Sequence, residues 1–357
     1  MDARPLGREP TGVGRYLEAL LTSWLELFPE DAFLLVSPRP IALPASLKAR
    51  VETKAGPTRV PGTVWLQTLA PFLAERGGAG LFFGPLGILP LRMKLPGVAT
   101  VHDLTPMLHP AWHDLKNRVG FAFLGPTVQR ARRLITVSEA TRRDLVRAFP
   151  AAERKSVVVH HGVTIPPRSG DGPPPNEGRP YVLYLGTLEP RKNLGRLVEA
   201  MERLWDRRPD FPDLLLAGGK GWSMKGFAER LERSRHAARI RRTGYVAAGE
   251  AAALLRGARL LAYPSLYEGF GLPPLEAMAL GTVVVGSSSS SLPEVIGDAG
   301  LLPDPQSVPA IEAALEKAND DEAWRHQARV RGLARAARFT WEEAVRRTRA
   351  VFEEALA

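Results

Sequence analysis

Short apolar runs alternate with amphipathic segments along most of the chain. The runs are two to five residues long and rich in large apolar side chains, which favours strands buried in a parallel sheet. They lie at 80–83, 98–101, 134–137, 157–159, 181–185, 214–217, 260–263 and 283–285, with weaker candidates at 32–36 and 51–52. Between them, apolar residues recur at helical spacing. In residues 11–28 they are Tyr16, Leu20, Trp24 and Leu27. The alternation predicts an α/β fold.

A stretch without periodicity divides this alternation in two. Residues 169–180, SGDGPPPNEGRP, are rich in glycine, proline and polar side chains, as is typical of a linker. The length of 357 residues also exceeds what one core usually covers. We therefore predict two Rossmann-like domains that face a cleft, the first comprising residues 1–168 and the second residues 181–340.

The composition of the chain is typical of a globular protein without disulfides. Hydrophobic residues make up 45% of the chain and charged residues 24%, as in ordinary globular domains. Cysteine is absent, which excludes disulfides and a thiolate metal site and fits the cytoplasm. No apolar run approaches the roughly 20 residues that a membrane-spanning helix needs. The first ten residues also lack the apolar core of a secretion signal. We therefore expect a cytoplasmic protein.

The net charge of +10 leaves several kinds of partner open. A basic surface suits nucleic acid, acidic lipid headgroups or nucleotide diphosphates, and it is also typical of solvated arginine-rich helices. The densest basic cluster lies within residues 116–149 and comprises Lys116, Arg118, Arg130, Arg132, Arg133, Arg142, Arg143 and Arg147. This cluster predicts either peripheral contact with the anionic inner face of a membrane or an ordinary solvated surface. A basic nucleic-acid-binding protein stays an alternative.

Residues 262–286 carry the densest candidate chemistry. They read as the end of a strand, a glycine loop, a helix that begins near Pro273, and a second strand. Backbone N–H groups in such a loop and at a helix start bind anions, aided by the helix dipole. Glu268 and Glu276 flank this spot, and a carboxylate accepts two hydroxyls at once. The pattern indicates a site for a sugar joined to a phosphate, or else an ordinary βαβ turn whose acids cap a helix.

Two further glycine turns have the pattern of an anion site. Gly12-Val13-Gly14 leads into the first helix, and Gly186-Thr187 follows the strand at 181–185. The second turn is followed by Arg191 and Lys192. Cations at the mouth of a strand-to-helix turn neutralise a diphosphate leaving group as its charge grows. This turn therefore predicts a contact with a pyrophosphate.

His102 and Asp103 follow the buried strand at 98–101. In open α/β sheets, ligands bind at the carboxyl ends of the strands, so His102 and Asp103 lie where a ligand site is expected. A neighbouring histidine and aspartate are nevertheless more often structural. A metal is not expected. His160 and His161 have no acid or further histidine at ligand spacing, and no Asp-x-Asp pair stands in a plausible metal position.

Four of these segments resemble motifs of the retaining GT-B glycosyltransferases of family 4. Residues 268–276 resemble the E-x7-E signature, and residues 186–193, GTLEPRKN, resemble the G-x-[LV]-x-x-R-K-N motif. Residues 12–16, GVGRY, resemble the G-[IV]-G-R-Y segment, and residues 102–106, HDLTP, resemble the H-D-L-x-P motif of one branch. The likeness covers nearly the whole chain and is strongest to the mannosyltransferase-like branch.

The resemblance implies the GT-B fold, in which two Rossmann-like domains face a cleft. The last helix, here residues 341–357, crosses back to the first domain in that fold. One segment departs from the family, whose members have a full apolar strand before the segment at 2–6. Only Met1 precedes that segment here. Since the strand lies inside the sheet of the family, we expect a start codon upstream, or else a neighbouring strand that closes the gap.

The resemblance also implies a role for each motif residue. Glu268 and His102 contact the transferred sugar, and Asp103 is a second catalytic candidate or orients His102. Glu276 holds the ribose of the donor. The residues predicted to bind the donor are Gly12, Gly14, Gly186, Thr187, Arg191, Lys192, Tyr245, Val246, Gly269, Phe270, Gly271, Leu272 and Glu276.

The function implied by the resemblance is a retaining, metal-independent glycosyltransferase without a cofactor. Its donor is a nucleoside-diphosphate sugar, GDP-mannose by preference or a UDP-hexose. Its acceptor is a saccharide or a lipid-linked molecule in polysaccharide or glycolipid synthesis. A sugar-nucleotide epimerase of the same fold stays an alternative, as does a sugar-nucleotide sensor without turnover. Paired acids and glycine loops are not explained by nucleic-acid binding, so no nucleic-acid partner is expected.

Overall fold

The computed structural model describes residues 1–6, 12–41, 43–56, 60–113, 120–166, 178–219, 221 and 226–357. The chain divides into two compact units. Unit 1 comprises Met1–Leu108, Leu115–Gly162 and Phe339–Ala357, and unit 2 comprises His109–Asp114 and Val163–Arg338. The C-terminal helix therefore belongs to unit 1, as the fold prediction had it. Lys116 and Arg118 of the basic cluster and most of the predicted linker lie outside the described residues.

The strands and helices follow the predicted alternation. In chain order the strands are β1 (Leu34–Ser37), β2 (Glu52–Ala55), β3 (Phe82–Gly84), β4 (Gly97–Val101), β5 (Arg133–Thr136), β6 (Ser156–Val158), β7 (Tyr181–Leu185), β8 (Asp213–Ala217), β9 (Ile240–Gly244), β10 (Leu260–Ala262) and β11 (Val284–Val285). The helices are α1 (Gly12–Leu27), α2 (Ala45–Lys48), α3 (Gly62–Arg76), α4 (Thr105–Leu108), α5 (Leu124–Arg130), α6 (Glu139–Ala148), α7 (Leu194–Arg207), α8 (Phe227–Glu232), α9 (Ala248–Gly257), α10 (Leu272–Ala279), α11 (Leu292–Ile296), α12 (Val308–Asp320), α13 (Glu322–Ala336) and α14 (Trp341–Leu356). Within the described ranges, no helix has the length and apolar character needed to cross a membrane.

Unit 1 is built around parallel strands with helices on both faces. β3, β4, β5 and β6 form one sheet in that order, and β1 pairs with β2. Alternate residues point to opposite faces, so Phe83 and Ile135 enter the core that contains α1 and α14. Phe82 and Leu134 enter the other core, which contains residues of α3 and α5. Because both faces are covered, all of β4 is buried, which explains why its sequence, GVATV, is apolar except for Thr100.

The first three residues run between the two sheets of unit 1. The N–H of Asp2 donates a hydrogen bond to the Phe83 carbonyl of β3 (2.9 Å). On the other side, the N–H of Ala3 donates to the Val36 carbonyl of β1 (2.9 Å). This extended segment thus lies where the sequence predicted a gap, and it links the two sheets through backbone hydrogen bonds.

Unit 2 contains a single parallel sheet with the strand order β11-β10-β7-β8-β9. β7 comes first in the chain and lies in the middle. β8 and β9 are added on one side of it, and β10 and β11 on the other. The strand order therefore reverses between β7 and β10. The four strands from β11 to β8 are wholly buried, whereas the edge strand β9 is mostly exposed.

Candidate functional site

The strand order of unit 2 determines where a ligand site is expected. In open parallel sheets, ligands bind outside the carboxyl ends of the strands where the strand order reverses, which here is between β7 and β10. The chain after β7 forms the turn Pro190–Lys192, and the chain after β10 carries Glu268. Both segments start at this point of reversal. The structure brings the predicted residues Arg191, Lys192 and Glu268 together there.

These residues and Glu189 form an ion cluster. Glu268 Oε2 lies 2.6 Å from Arg191 Nη1, and Glu268 Oε1 lies 2.6 Å from Lys192 Nζ. On the other edge of the guanidinium, Arg191 Nε lies 2.6 Å from Glu189 Oε1. Glu189 is 1% exposed, and Lys192 and Glu268 are each 5% exposed. Buried charges are tolerated when they are paired and hydrogen-bonded, and here two cations and two carboxylates neutralise each other.

The two cations keep Glu268 ionised. Burial by itself raises the pKa of this carboxyl, but the charges of Arg191 and Lys192 outweigh burial and lower its pKa to about 2. Burial and the neighbouring Arg191 lower the pKa of Lys192, whereas Glu268 and Glu189 oppose that shift. Glu268 is therefore a carboxylate near neutral pH, and it can only accept hydrogen bonds.

Asn193 fixes the turn that carries the cations. Its φ of 61° lies in the left-handed region, which asparagine adopts more readily than most residues. Its Nδ2 donates hydrogen bonds to the carbonyls of Pro264 (3.0 Å) and Pro305 (2.6 Å). The N–H of Leu266 donates to the Arg191 carbonyl (2.7 Å). These bonds tie the turn after β7 to the segment after β10, so the cations face Glu268.

Two tyrosines that the sequence analysis missed lie beside Lys192. Lys192 Nζ donates to the Tyr263 hydroxyl (2.6 Å) and lies 4.9 Å from the centroid of that ring. Tyr263 stacks on Tyr184 at 6.0 Å between centroids, and the Tyr184 hydroxyl donates to the Thr187 carbonyl (2.8 Å). Burial raises the pKa of both phenols. The available signal was a tyrosine near the carboxyl end of a buried strand: Tyr184 is the last residue but one of β7, and Tyr263 directly follows β10.

Two serines hold the backbone of the loop that carries Glu268. The N–H of Glu268 donates to Ser290 Oγ (2.7 Å). Ser291 Oγ lies 2.9 Å from the Glu268 carbonyl and 2.7 Å from the Phe270 carbonyl. The position of this backbone therefore does not depend on the ion pairs of the Glu268 carboxylate.

The glycine loop leads into α10, as predicted. Gly271 precedes the helix at a φ of 116°, a conformation that favours glycine, and Pro273 and Pro274 occupy the first turn. Neither proline has an N–H, so Leu272 alone among the first three helical residues can donate to an anion. Glu276 lies one turn into the helix and is buried. The start of the helix therefore has fewer N–H groups to offer an anion than an ordinary helix start has.

The turns after β7 and β8 pack directly on each other. The N–H of Leu188 donates to the Gly219 carbonyl (3.0 Å), and the N–H of Gly221 donates to the Leu188 carbonyl (3.0 Å). Gly218 has a φ of 148°, and a Cβ at this position would overlap the carbonyl of Gly186. Only glycine permits this approach, which fixes the path of the chain from β7 toward the cations.

Tyr245 and Val246 lie just beyond the carboxyl end of β9. The carbonyl of Gly244, the last residue of β9, accepts a hydrogen bond from the N–H of Gly218 (2.8 Å). The segment thus begins at the same edge of the sheet as the turn after β7. Tyr245 is 61% exposed, so its ring is open to solvent. A contact between this segment and a nucleobase stays a prediction.

In unit 1, His102 and Asp103 lie at the carboxyl end of β4 but make different contacts. His102 Nε2 lies 2.9 Å from the Pro85 carbonyl. Because a carbonyl can only accept, this nitrogen carries the proton. Asp103 Oδ1 accepts hydrogen bonds from the N–H (2.9 Å) and the hydroxyl (2.6 Å) of Thr105 at the start of α4. The hydrogen-bond partner of the imidazole is therefore Pro85 rather than Asp103.

Aromatic rings surround the imidazole of His102. Its centroid lies 5.0 Å from that of Tyr16 and 5.5 Å from that of His161, whose ring lies 5.9 Å from that of Trp341 in α14. Burial lowers the pKa of His102 to about 4, and burial together with the neighbouring His102 and His160 lowers the pKa of His161 well below its usual value. The His102 ring is therefore neutral near neutral pH, and its Nδ1 can accept a hydrogen bond.

Gly12 and Gly14 lie inside α1 rather than in a turn before it. The helix begins at Gly12, so both glycines belong to its first turn. Residues 7–11, which precede it, lie outside the described residues. One turn later, the hydroxyl of Tyr16 lies 3.3 Å from Thr100 Oγ1 in β4. This contact places α1 beside His102.

The sequence of this chain is similar to those of known glycosyltransferases. Residues 171–335 match the protein family described as Glycosyl transferases group 1, and residues 78–165 match the one described as Glycosyltransferase Family 4. The O-antigen chain mannosyltransferase B of Escherichia coli is 38% identical over 284 residues, which cover 75% of this chain and 72% of that protein. The MMP alpha-(1->4)-mannosyltransferase of Mycolicibacterium hassiacum is 29% identical over 379 residues, which cover 98% of this chain and 88% of that protein.

A solved structure shows the same fold. The crystal structure of Anabaena Alr3699/HepE in complex with UDP and glucose superposes with a TM-score of 0.74 at 19% identity. The match covers 98% of this chain and 97% of that chain. The likeness thus extends over almost the full length of both proteins and confirms the predicted fold.

Proposed function

The chain belongs to the glycosyl transferases group 1, and we propose that it transfers a hexose from a nucleoside-diphosphate sugar to a saccharide or lipid-linked acceptor. The protein is a glycosyltransferase with the GT-B fold. Our proposal adds mannose as the preferred sugar, retention of configuration at the anomeric carbon, and independence from metal ions. The observation that supports it best is the ion cluster of Arg191, Lys192 and Glu268 at the point of strand reversal in unit 2.

The relatives guide the choice of donor and product. Both relatives described above are mannosyltransferases, and one of them acts on the O-antigen chain. The similar Anabaena structure contains UDP and glucose. These findings support a hexose donor, with GDP-mannose first and a UDP-hexose second. They also support polysaccharide or glycolipid synthesis as the purpose of the transfer.

Arg191 and Lys192 are assigned to the diphosphate of the donor. Negative charge grows on the diphosphate as the bond to the sugar breaks, and preorganised cations stabilise that charge. Arg191 offers a planar fork of donors and Lys192 a compact ammonium, so the pair can bind oxygens of both phosphates. Two fixed cations supply the positive charge that a divalent ion would otherwise bring, which is the reason for proposing metal independence.

The remaining residues are assigned to the sugar and the nucleoside. Glu268 and the neutral Nδ1 of His102 accept hydrogen bonds from hydroxyls of the transferred sugar, and Glu276 accepts those of the ribose. In a retaining transfer, the acceptor attacks the face that the diphosphate leaves, through a state that resembles an oxocarbenium ion. The departing phosphate oxygen takes the proton of the acceptor hydroxyl.

A panel of sugar nucleotides tests this function. The full chain is incubated with GDP-mannose, UDP-glucose and related donors, with and without an acceptor saccharide, in buffer containing either magnesium or EDTA. We expect one donor to raise the thermal unfolding temperature, because ligand binding stabilises the folded state. We also expect that donor to give a glycoside whose anomeric configuration matches that of the donor sugar, at equal rates with EDTA.

Other outcomes of the panel would replace the proposal. A changed sugar on the nucleotide without an acceptor product would identify an epimerase. Binding without any turnover would identify a sensor. Activity lost in EDTA and restored by magnesium would refute metal independence while leaving the transferase assignment in place. An inverted product would refute the retaining mechanism.

Charge is unevenly divided between the units. The residues of unit 1 include 24 of the 48 lysines and arginines but only 16 of the 38 acidic residues, so most of the net charge of +10 belongs to that unit. Unit 1 is accordingly proposed to make peripheral contact with the anionic inner face of the cytoplasmic membrane. A lipid-linked acceptor would be available there.

Vesicle flotation tests this contact. The protein is expected to float with vesicles that contain phosphatidylglycerol and to dissociate as salt is raised, because screening weakens attraction between exposed charges. Vesicles of phosphatidylcholine alone are the control. Equal binding to both compositions, or none to either, would refute the contact. Release of the protein from vesicles by duplex DNA at the same salt would point to nucleic acid as the preferred partner.

A further inference from the structure

The ion cluster is formed entirely by side chains of unit 2. Arg191 Nη1 and Lys192 Nζ each lie 2.6 Å from a different oxygen of Glu268. The groups proposed to bind the donor diphosphate are thus already occupied by a carboxylate of the same unit. An incoming diphosphate and Glu268 need the same donors, so they are competitors for the two cations.

The two carboxylates of the cluster are attached differently. Glu189 immediately precedes the turn Pro190–Lys192 and binds the Nε edge of Arg191 at 2.6 Å. Its Oε1 is 4.0 Å from Lys192 Nζ. Glu268 belongs to the loop after β10. One of its carboxylate oxygens pairs with Arg191 Nη1, and the other pairs with the ammonium of Lys192. Glu189 therefore stays with the cations, whereas Glu268 bridges them from a separate segment.

Glu268 can leave the cations without a change in its backbone. Its N–H donates to Ser290 Oγ (2.7 Å) and its carbonyl lies 2.9 Å from Ser291 Oγ. These contacts hold the main chain, so rotation of the side chain alone moves the carboxylate. Arg191 and Lys192 remain charged when the Glu268 carboxylate leaves. Another anion must then take its place beside them.

We propose that Glu268 is an exchangeable counter-ion, which a donor diphosphate displaces from Arg191 and Lys192, while Glu189 is a positioning residue that holds Arg191 during the exchange. This inference rests on the proposed function, because it assigns the released carboxylate to the sugar that arrives with the diphosphate. Without a diphosphate, Glu268 stays on the cations. Sugar recognition by Glu268 is thereby linked to occupation of the diphosphate site.

The affinity for inorganic pyrophosphate, measured by titration calorimetry in EDTA, tests the exchange without a sugar or a nucleoside. Glu268→Gln keeps the shape of the side chain and removes the competing charge. We expect it to bind pyrophosphate about tenfold more tightly than the unaltered protein, the factor that one charge-assisted hydrogen bond contributes. Glu189→Gln removes the same charge from the same cluster but from the other edge of Arg191. It is expected to change the affinity by less than about threefold, or to weaken it.

These two variants separate the explanations. Equal tightening in both would show that only the summed charge of the cluster matters, and unchanged or weaker binding in Glu268→Gln would refute the exchange. Glu199→Gln, which breaks an exposed pair with Arg203 on α7, is the control for surface charge. Glu189→Gln is also expected to lower kcat more than it changes the KM of the donor, and Glu189→Asp to restore part of kcat. A proportional loss of folded protein would instead indicate a structural role for Glu189.

A second measurement covers the case in which Glu268→Gln does not fold. In a crystal of the unaltered protein soaked with pyrophosphate, the Glu268 carboxylate is expected to lie beyond ion-pair distance of Arg191 Nη1, with Glu189 still on Nε. Pyrophosphate bound with the Glu268 pairs intact would refute the exchange. The proposed function can fail independently, since a protein that shows the exchange with pyrophosphate but turns over no sugar nucleotide would retain this inference and lose the other.

Discussion

Replacing Arg191 by alanine is expected to lower kcat/KM for the nucleotide-sugar donor by about 10²–10³-fold, the usual effect of removing one preorganised group that stabilises developing charge. Arg191 holds two carboxylates at 2.6 Å, so the change also leaves Glu189 and Glu268 with Lys192 as their common cation. The ground-state diphosphate and the charge that develops on it both lose a partner. Steady-state rates of nucleoside-diphosphate release over a range of donor concentrations measure the effect.

A matched arginine provides the control for this substitution. Arg203 lies on α7 in an exposed pair with Glu199, so Arg203→Ala removes the same charge from the same unit outside the cluster. We expect its kcat/KM to stay within about twofold of the unaltered value, because exposed ion pairs contribute little. Arg191→Lys is expected to recover only part of the activity, since an ammonium cannot bind two carboxylates along two edges. Activity of Arg191→Ala equal to that of Arg203→Ala would refute the leaving-group role.

Most strands were predictable because they are buried. A strand covered on both faces is mostly apolar, and β4, β7 and β8 have that character apart from Thr100 and Asp213. The exceptions are β2, which is mostly exposed, and β9, whose sequence IRRTG has one large apolar residue. Strand β9 lies at the edge of the sheet and is mostly exposed, so backbone pairing with β8 places it there and its side chains give no signal.

The segments of the site were predictable, but the pairs within it were not. Motif spacing placed Arg191 and Glu268 after strand ends, and the rule for strand reversal brings those ends together. That rule does not indicate that a cation and an acid separated by 77 positions bind each other. The contacts of Glu189, Ser290 and Ser291 were not predictable for the same reason, since they join separate loops and leave no local pattern.

Unit 1 shows two further limits of sequence reasoning. The fragment Met1–Ala3 is too short to give a strand signal, yet its backbone bonds to β1 and β3 place it between two sheets. Adjacency in the sequence suggested Asp103 as the partner of His102. In the structure, Asp103 caps α4, and the imidazole binds the carbonyl of Pro85. A carboxylate beside a helix start finds nearby N–H groups, which compete effectively for it.

A glycine in the turn after β8 is expected to control both stability and activity. Gly218 lies after β8 with a φ of 148°, and a Cβ there would overlap the Gly186 carbonyl. Gly218→Ala is therefore expected to lower the free energy of unfolding by about 2–4 kcal/mol, through strain in the backbone and overpacking between two turns. Because the turn after β7 leads directly to Arg191, the KM of the donor should also rise. Chemical denaturation and donor kinetics on the same preparation measure the two effects.

Gly195→Ala is the control within the same unit. Gly195 lies in α7 with open space at the position of a Cβ, so alanine there is expected to raise the free energy of unfolding by about 0.5 kcal/mol through its better helix propensity. Opposite signs for the two glycine-to-alanine changes would show that packing of the turns, and not glycine content, sets the stability of unit 2. If Gly218→Ala unfolded at the same denaturant concentration as the unaltered protein, the close approach of the two turns would not be a constraint on the fold. If it lost stability but kept its KM, the position of the cations would be set by Asn193 and the segment after β10 alone.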